Sequence, residues 1–173
     1  MGVVRVLVAE DAPVLRDTLV ALLDLEPGIE VVAAVASGDQ IVPRAVADRP
    51  DVALLDIGLP GVDGLAAAAE LAERLPGCRV LILTGLDAPA HLAAARRARV
   101  SGFLVKDQPA EELIGAVRAV ARGQQVTGSR LAGPPGPAEL GPAELGPAEP
   151  GRGAPGPAGT GPAEADPGAG SPR

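Results

Sequence analysis

Asp51-Val52-Ala53-Leu54-Leu55-Asp56-Ile57-Gly58-Leu59-Pro60-Gly61-Val62-Asp63-Gly64 is the stretch on which the fold of this chain turns. The apolar run Val52 to Leu55 ends abruptly in one carboxylate, Asp56. Gly58, Pro60 and Gly61 then punctuate a loop, and an Ala/Leu-rich segment follows from Leu65 to Leu75. A short apolar run, a loop and a helical segment read as a buried strand feeding a βα connection. An acid at the carboxyl end of such a strand stands where open α/β sheets build their sites.

The same pattern repeats on both sides. Val3 to Ala9 is a β-branched and aliphatic run that stops at Glu10-Asp11; Pro13 suits a first helical turn, and Val14, Leu15, Leu19, Leu22 and Leu23 recur at helical spacing. Pro27-Gly28 ends that helix. Ile29 to Ala36 reads as a second strand, and Ser37-Gly38-Asp39 opens a helix carrying Ile41, Val42, Val46 and Ala47, which Pro50 breaks. Past the central stretch, Arg79 to Leu83 is a fourth strand ending at Thr84-Gly85. A fourth helix falls at about Pro89 to Ala98. Gly102 to Val105 is a short fifth strand ending at Lys106, and Pro109 begins a helix with Leu113, Ile114, Val117 and Val120 on its inner face. Five strands alternating with five helices predict a doubly wound parallel sheet with right-handed crossovers. Among doubly wound arrangements we expect the flavodoxin-like order 2-1-3-4-5, which sets the first and third strands side by side at the switch point.

The composition changes near residue 130. Gly and Pro make up 22 of the 41 residues from Gly133 to Arg173, with a five-residue period, Gly-Pro-Ala-Glu-Leu, starting at Gly136. Collagen needs period three, and Pro at this density blocks helix and sheet, so an extended, disordered coil is expected. The expected division is a folded domain over 1–128 and a low-complexity tail over 129–173. The net charge of −7 comprises 13 basic against 17 acidic residues over 1–132 and two against five beyond. An acidic chain without a basic cluster is a poor independent binder of nucleic acid. The lone Cys78 excludes an internal disulfide. The absence of a signal-peptide pattern and of a long apolar run points away from the membrane and to the cytoplasm.

Glu10, Asp11, Asp56, Thr84 and Lys106 each follow the carboxyl end of a predicted strand, and in a doubly wound sheet those ends share one rim. Three carboxylates crowded together call for a cation, and hard oxygen ligands with room for water suit Mg²⁺. The metal and Lys106 would neutralise a phosphoryl group from two sides, Thr84 would donate to one of its oxygens, and Asp56 would accept it. Taken alone, Asp56 could simply cap the next helix, and Thr84 could be an ordinary strand-end hydroxyl. Lys106 is the only lysine in the chain and Phe103 the only aromatic, for which core packing is the default. His91 and the Arg96, Arg97, Arg99 group read as solvated.

Glu10-Asp11, Asp56 with Leu59-Pro60 and Gly64, Thr84-Gly85, and Gly102-Phe103-Leu104-Val105-Lys106 together resemble the CheY-like receiver domain of bacterial two-component response regulators, over about residues 3–123. Gly102 to Asp107 followed by Pro109-Ala110-Glu111-Glu112-Leu113 is similar to the NarL/FixJ subfamily, which carries a LuxR-type helix-turn-helix. The resemblance implies that Asp56 takes phosphate from a histidine kinase's phosphohistidine. It implies Mg²⁺ held by Asp11, Asp56 and the backbone carbonyl of Gly58, with Glu10 acting through water. Lys106 would pair with Asp56 and then with the phosphoryl group, and Thr84 and Phe103 would form the switch. The switching face, and a surface for a homodimer, would be the fourth helix, fifth strand and fifth helix. Asp107 in place of the Pro that many receivers have predicts no cis bond after Lys106. Phe103 where Tyr is common removes any hydroxyl-dependent contact.

The apolar periodicity of a four-helix output domain is not found after residue 130, so DNA binding is not carried over to this chain. A stand-alone receiver and a truncated transcriptional regulator both remain open, as does a tail read in a shifted frame. The expected function is a phosphorelay receiver, self-phosphorylating and slowly self-dephosphorylating but not a turnover enzyme. A docking or dimerisation module without phosphorylation is the alternative. A Mg²⁺-dependent phosphatase is disfavoured, because Gly58 stands where a second catalytic acid would be needed.

Overall fold

The computed structural model describes residues 2–85 and 98–128, all within the first of two units, Met1–Pro137 and Ala138–Arg173. The chain runs β1 (Val4–Ala9), α1 (Pro13–Asp24), β2 (Ile29–Val35), a 3₁₀ turn (Gly38–Gln40), α2 (Ile41–Asp48), β3 (Val52–Asp56), α3 (Gly64–Arg74), β4 (Arg79–Thr84), β5 (Gly102–Val105), α4 (Ala110–Ala121) and β6 (Val126–Thr127). The helix expected at about Pro89 to Ala98 falls almost wholly on 86–97, outside the described residues, as do His91, Arg96, Arg97 and the tail.

All strand pairs are parallel, in the order β2-β1-β3-β4-β5-β6. The expected order 2-1-3-4-5 is therefore present with one correction: a sixth strand lies beyond β5. At two residues, β6 is too short to show periodicity, and two backbone hydrogen bonds to Ser101 and Phe103 define it. The β1–β2 register slips between Val6 and Leu7, which pair with Val31 and Ala33 and leave Val32 as a bulge.

Strand alternation sorts the core onto two faces. Leu7, Ala9, Ala53, Leu55 and Ile82 pack with Ile41 and Ala45 of α2 and Ala67 and Leu71 of α3. Val6, Val8, Val52, Leu54, Leu81 and Leu104 pack with Leu19 and Leu23 of α1 and Leu113, Val117 and Val120 of α4. With both faces covered, the central strands are apolar at nearly every position, which is why they read as continuous runs. No helix among the described residues is long and apolar enough to cross a membrane.

Helix ends follow local chemistry. Pro13 opens α1 with its missing N–H at no cost, and the Asp63 carboxylate caps α3 by accepting from the Leu65 N–H at 2.8 Å. Cys78 is buried, and burial, with the charge of Asp51 adding to it, pushes its thiol up to about 12. A thiol-disulfide reagent at pH 8 is expected to label native protein at least about 100-fold more slowly than denatured protein. Because the folded thiol holds its proton after the unfolded one has lost it, stability falls as pH rises between the ordinary value of 9.0 and about 12. Urea titrations at pH 8 and 10.5, with Cys78→Ala as the flat control, measure that slope.

Candidate functional site

β1, β3, β4 and β5 all end at one rim, and each delivers a polar residue there. β3 runs out on Asp56 itself. Its carboxyl is nearly buried, and its backbone carbonyl is covered by Gly64, where a Cβ would collide with the Asp56 oxygen. Glu10, the first residue past β1, is 1 % exposed; its N–H donates to Val35 O at 3.1 Å and its Oε1 accepts from the Ala12 N–H at 3.2 Å. Asp11 follows in the open. One carboxylate oxygen from each of Glu10, Asp11 and Asp56 lies within 4.8 Å of the other two.

Lys106, past β5, reaches into this cluster. Its Nζ is 2.9 Å from Asp56 Oδ2 and 2.8 Å from Glu10 Oε2, and its backbone N–H donates to Thr84 O at 2.8 Å. Glu10 and Lys106 are pulled in opposite senses by burial. Burial pushes the Glu10 carboxyl above its ordinary range, with the Asp56 charge adding, while Lys106 holds it down. Burial alone would lower the Lys106 ammonium, but hydrogen bonds and charge from Glu10 and Asp56 outweigh it and the net direction is upward. Three acidic side chains against one ammonium leave an excess of negative charge. A set of hard oxygen donors, one of them solvent-facing, fits a divalent cation with water in its shell.

Thr84 closes β4 and is buried, and Phe103 is 3 % exposed, packed with Ile82 and Ala98 on the α2/α3 face. Phe103 thus lies in the core, the default position for a lone aromatic side chain. Gly58 stands beside Asp56: a Cβ there would sit 3.9 Å from Asp56 Oδ2.

Two contributors were not legible in the sequence. Arg16 donates from Nη1 to the Glu10 carbonyl at 3.0 Å and so pins the β1–α1 loop. An Arg in the first turn of a helix works against the helix dipole, which is the signal that could have flagged it. Gly38 donates to Pro60 O at 3.0 Å, and a Cβ at that position would run into Val62 O, so the β3–α3 loop rests directly on the 3₁₀ turn.

A rim of this composition on a sheet of this order defines a receiver: the chain belongs to the response regulator receiver domain family, whose model matches residues 6–118. It is 39 % identical over 123 residues to the transcriptional regulatory protein DesR of Bacillus subtilis, covering 71 % of this chain and 61 % of DesR. It is 37 % identical over 129 residues to the DNA-binding transcriptional activator DevR/DosR of Mycobacterium tuberculosis, covering 75 % of this chain and 59 % of that protein. The chain thus spans about three fifths of the length of these relatives. The signal receiver domain of the response regulator NarL from Mycobacterium tuberculosis superposes with a TM-score of 0.69 at 35 % identity, covering 72 % of this chain and all of that domain.

Proposed function

We propose that this protein is a phosphorelay receiver in which Asp56 accepts a phosphoryl group from the phosphohistidine of a histidine kinase. The observation that carries this is one ammonium, Lys106, touching two members of a three-carboxylate cluster at the sheet rim. In the reaction an Asp56 oxygen forms a bond to phosphorus as the bond from phosphorus to the donor imidazole breaks. Lys106, already against Asp56 Oδ2, pairs with the incoming phosphoryl oxygens, and the hydroxyl of Thr84 donates to another. Asp11, Asp56 and the Gly58 carbonyl would hold Mg²⁺, with Glu10 acting through water. When bound, the ion supplies positive charge to the phosphoryl oxygens. Thr84 and Phe103 then relay the change along β4 and β5.

Such a receiver turns over only its own phosphoryl group and is not an enzyme with an external substrate. We place it in the cytoplasm, with residues 1–128 as the receiver and 129–173 as a separate low-complexity segment, and assign no nucleic-acid contact to the acidic chain. The face of β5 and its flanking helices would serve a second copy or a target.

Incubation with acetyl phosphate and Mg²⁺ is expected to add about 80 Da, one phosphoryl group, to the intact protein. The adduct is expected to be absent in Asp56→Asn and without Mg²⁺. An unmodified wild-type mass would leave only a docking module.

A further inference from the structure

β6 plays no part in the chemistry above, yet it is wired to the strand that carries Lys106. It lies parallel to β5, with Val126 opposite Gly102 and Thr127 opposite Phe103. The Val126 N–H donates to Ser101 O at 3.0 Å and the Gly128 N–H to Phe103 O at 2.9 Å. Along its other edge β5 pairs with β4, Thr84 opposite Val105, and ends in the 2.8 Å bond from the Lys106 N–H to Thr84 O. β5 is therefore a four-residue bar with the acid site on one side and β6 on the other.

The seat for β6 is fitted closely. Gly128 is buried, and a Cβ there would sit 3.3 Å from both Gln108 Oε1 and Leu104 Cδ2. Gln108 lies two residues past Lys106, and its Nε2 is buried with no hydrogen-bond partner among the described residues. Because β6 runs parallel to β5, Gly128 lies toward the rim that carries Lys106.

We propose that β6 is a clamp whose docking on β5 is coupled to the state of Asp56. Phosphoryl capture moves the Lys106 ammonium from the Asp56 and Glu10 carboxylates onto the phosphoryl oxygens and draws Thr84 to them, which shifts the carboxyl end of β5 and loosens β6. This rests on the receiver reading. Loosening falls on β6 because two backbone bonds at a sheet edge form the least stable part of this assembly, whereas β5 is locked into both core faces. Linkage makes the effect reciprocal: weakening β6 must favour the loaded site by the same factor.

The full chain in Mg²⁺, with and without beryllofluoride as the phosphoryl mimic, provides the test. By NMR, the Val126 and Gly128 amides are expected to exchange with deuterium at least about fivefold faster in the loaded protein, while Val8 and Leu54 do not change. Val126→Pro and Gly128→Pro each delete one clamp donor and are expected to bind beryllofluoride about fivefold more tightly than wild type. Unchanged or slower exchange overturns the clamp, as does equal or weaker affinity in folded variants. Should the proline variants fail to fold, the wild-type exchange decides alone. A wild-type protein that does not bind beryllofluoride sinks the receiver reading and the clamp with it; binding with an unmoved β6 overturns only the clamp.

Discussion

Lys106→Met is expected to slow phosphoryl uptake from acetyl phosphate by about 100-fold and to destabilise the metal-free protein by about 2 kcal/mol at pH 7. Loss of the ammonium leaves Glu10, 1 % exposed, facing Asp56 with no cation. Breaking a buried pair typically costs more, about 3–5 kcal/mol, but the Lys106 side chain is 25 % exposed and water screens part of the interaction. The pH dependence has a definite sign. The folded-state value of Glu10 is raised from its ordinary 4.5, first by burial, and removing Lys106 raises it further. The folded variant then binds more protons than the unfolded chain, so its stability falls as pH rises through that raised value and recovers on acidification. In the wild type the contribution of Lys106 has the same sign but lies in a higher pH window. It is complete below 10.5 and lost as pH rises through the raised folded value. Urea unfolding of the variant from pH 5 to 8, with and without Mg²⁺, checks the first, and unfolding of the wild type from pH 9 upward checks the second; Mg²⁺ should stabilise the variant more than the wild type. A Lys106→Met protein as stable at pH 7.5 as at pH 5 would refute the assignment.

Gly64→Ala is expected to cost about 3 kcal/mol, lowering the melting temperature by roughly 10 °C. The added Cβ would be driven into the Asp56 carbonyl oxygen and would approach Ile57 Cα to 3.1 Å, and neither can yield without moving the phosphoacceptor. The Gly64 N–H also donates to Ile57 O at 3.0 Å, a bond that spaces α3 from the end of β3. Gly58→Ala is the control: its Cβ would meet only Asp56 Oδ2, at ordinary contact distance, and stability should stay within about 0.5 kcal/mol. Equal losses at both positions would mean that general loop stiffness, not contact with Asp56, sets the cost.

Which features could be read in advance follows from how each is encoded. β3 and β4 are buried on both faces, so burial writes them as unbroken apolar runs whose ends are marked by Asp56 and Thr84. The rim could be assembled from those ends because a parallel sheet brings them together whatever the helices do. Interactions made by backbone atoms leave no such mark. β6 exists through N–H groups of Val126 and Gly128, and any residue except proline would supply those donors. The contact of Gly38 with Val62 depends on how closely two loops approach, which no local pattern records. Arg16 acts on the backbone carbonyl of Glu10, six residues before it in the chain, and only its placement in a first turn set it apart.

The bulge at Val32 bears on how copies of this domain meet. At that end of the sheet, two residues of β2 oppose one step of β1, which bends the outermost strand and spoils the even row of donors and acceptors a second sheet would need. At the opposite end the outermost strand offers only Val126 and Thr127. Among the described residues neither margin is a good template for adding strands, so stacking of the sheet into ribbons is disfavoured.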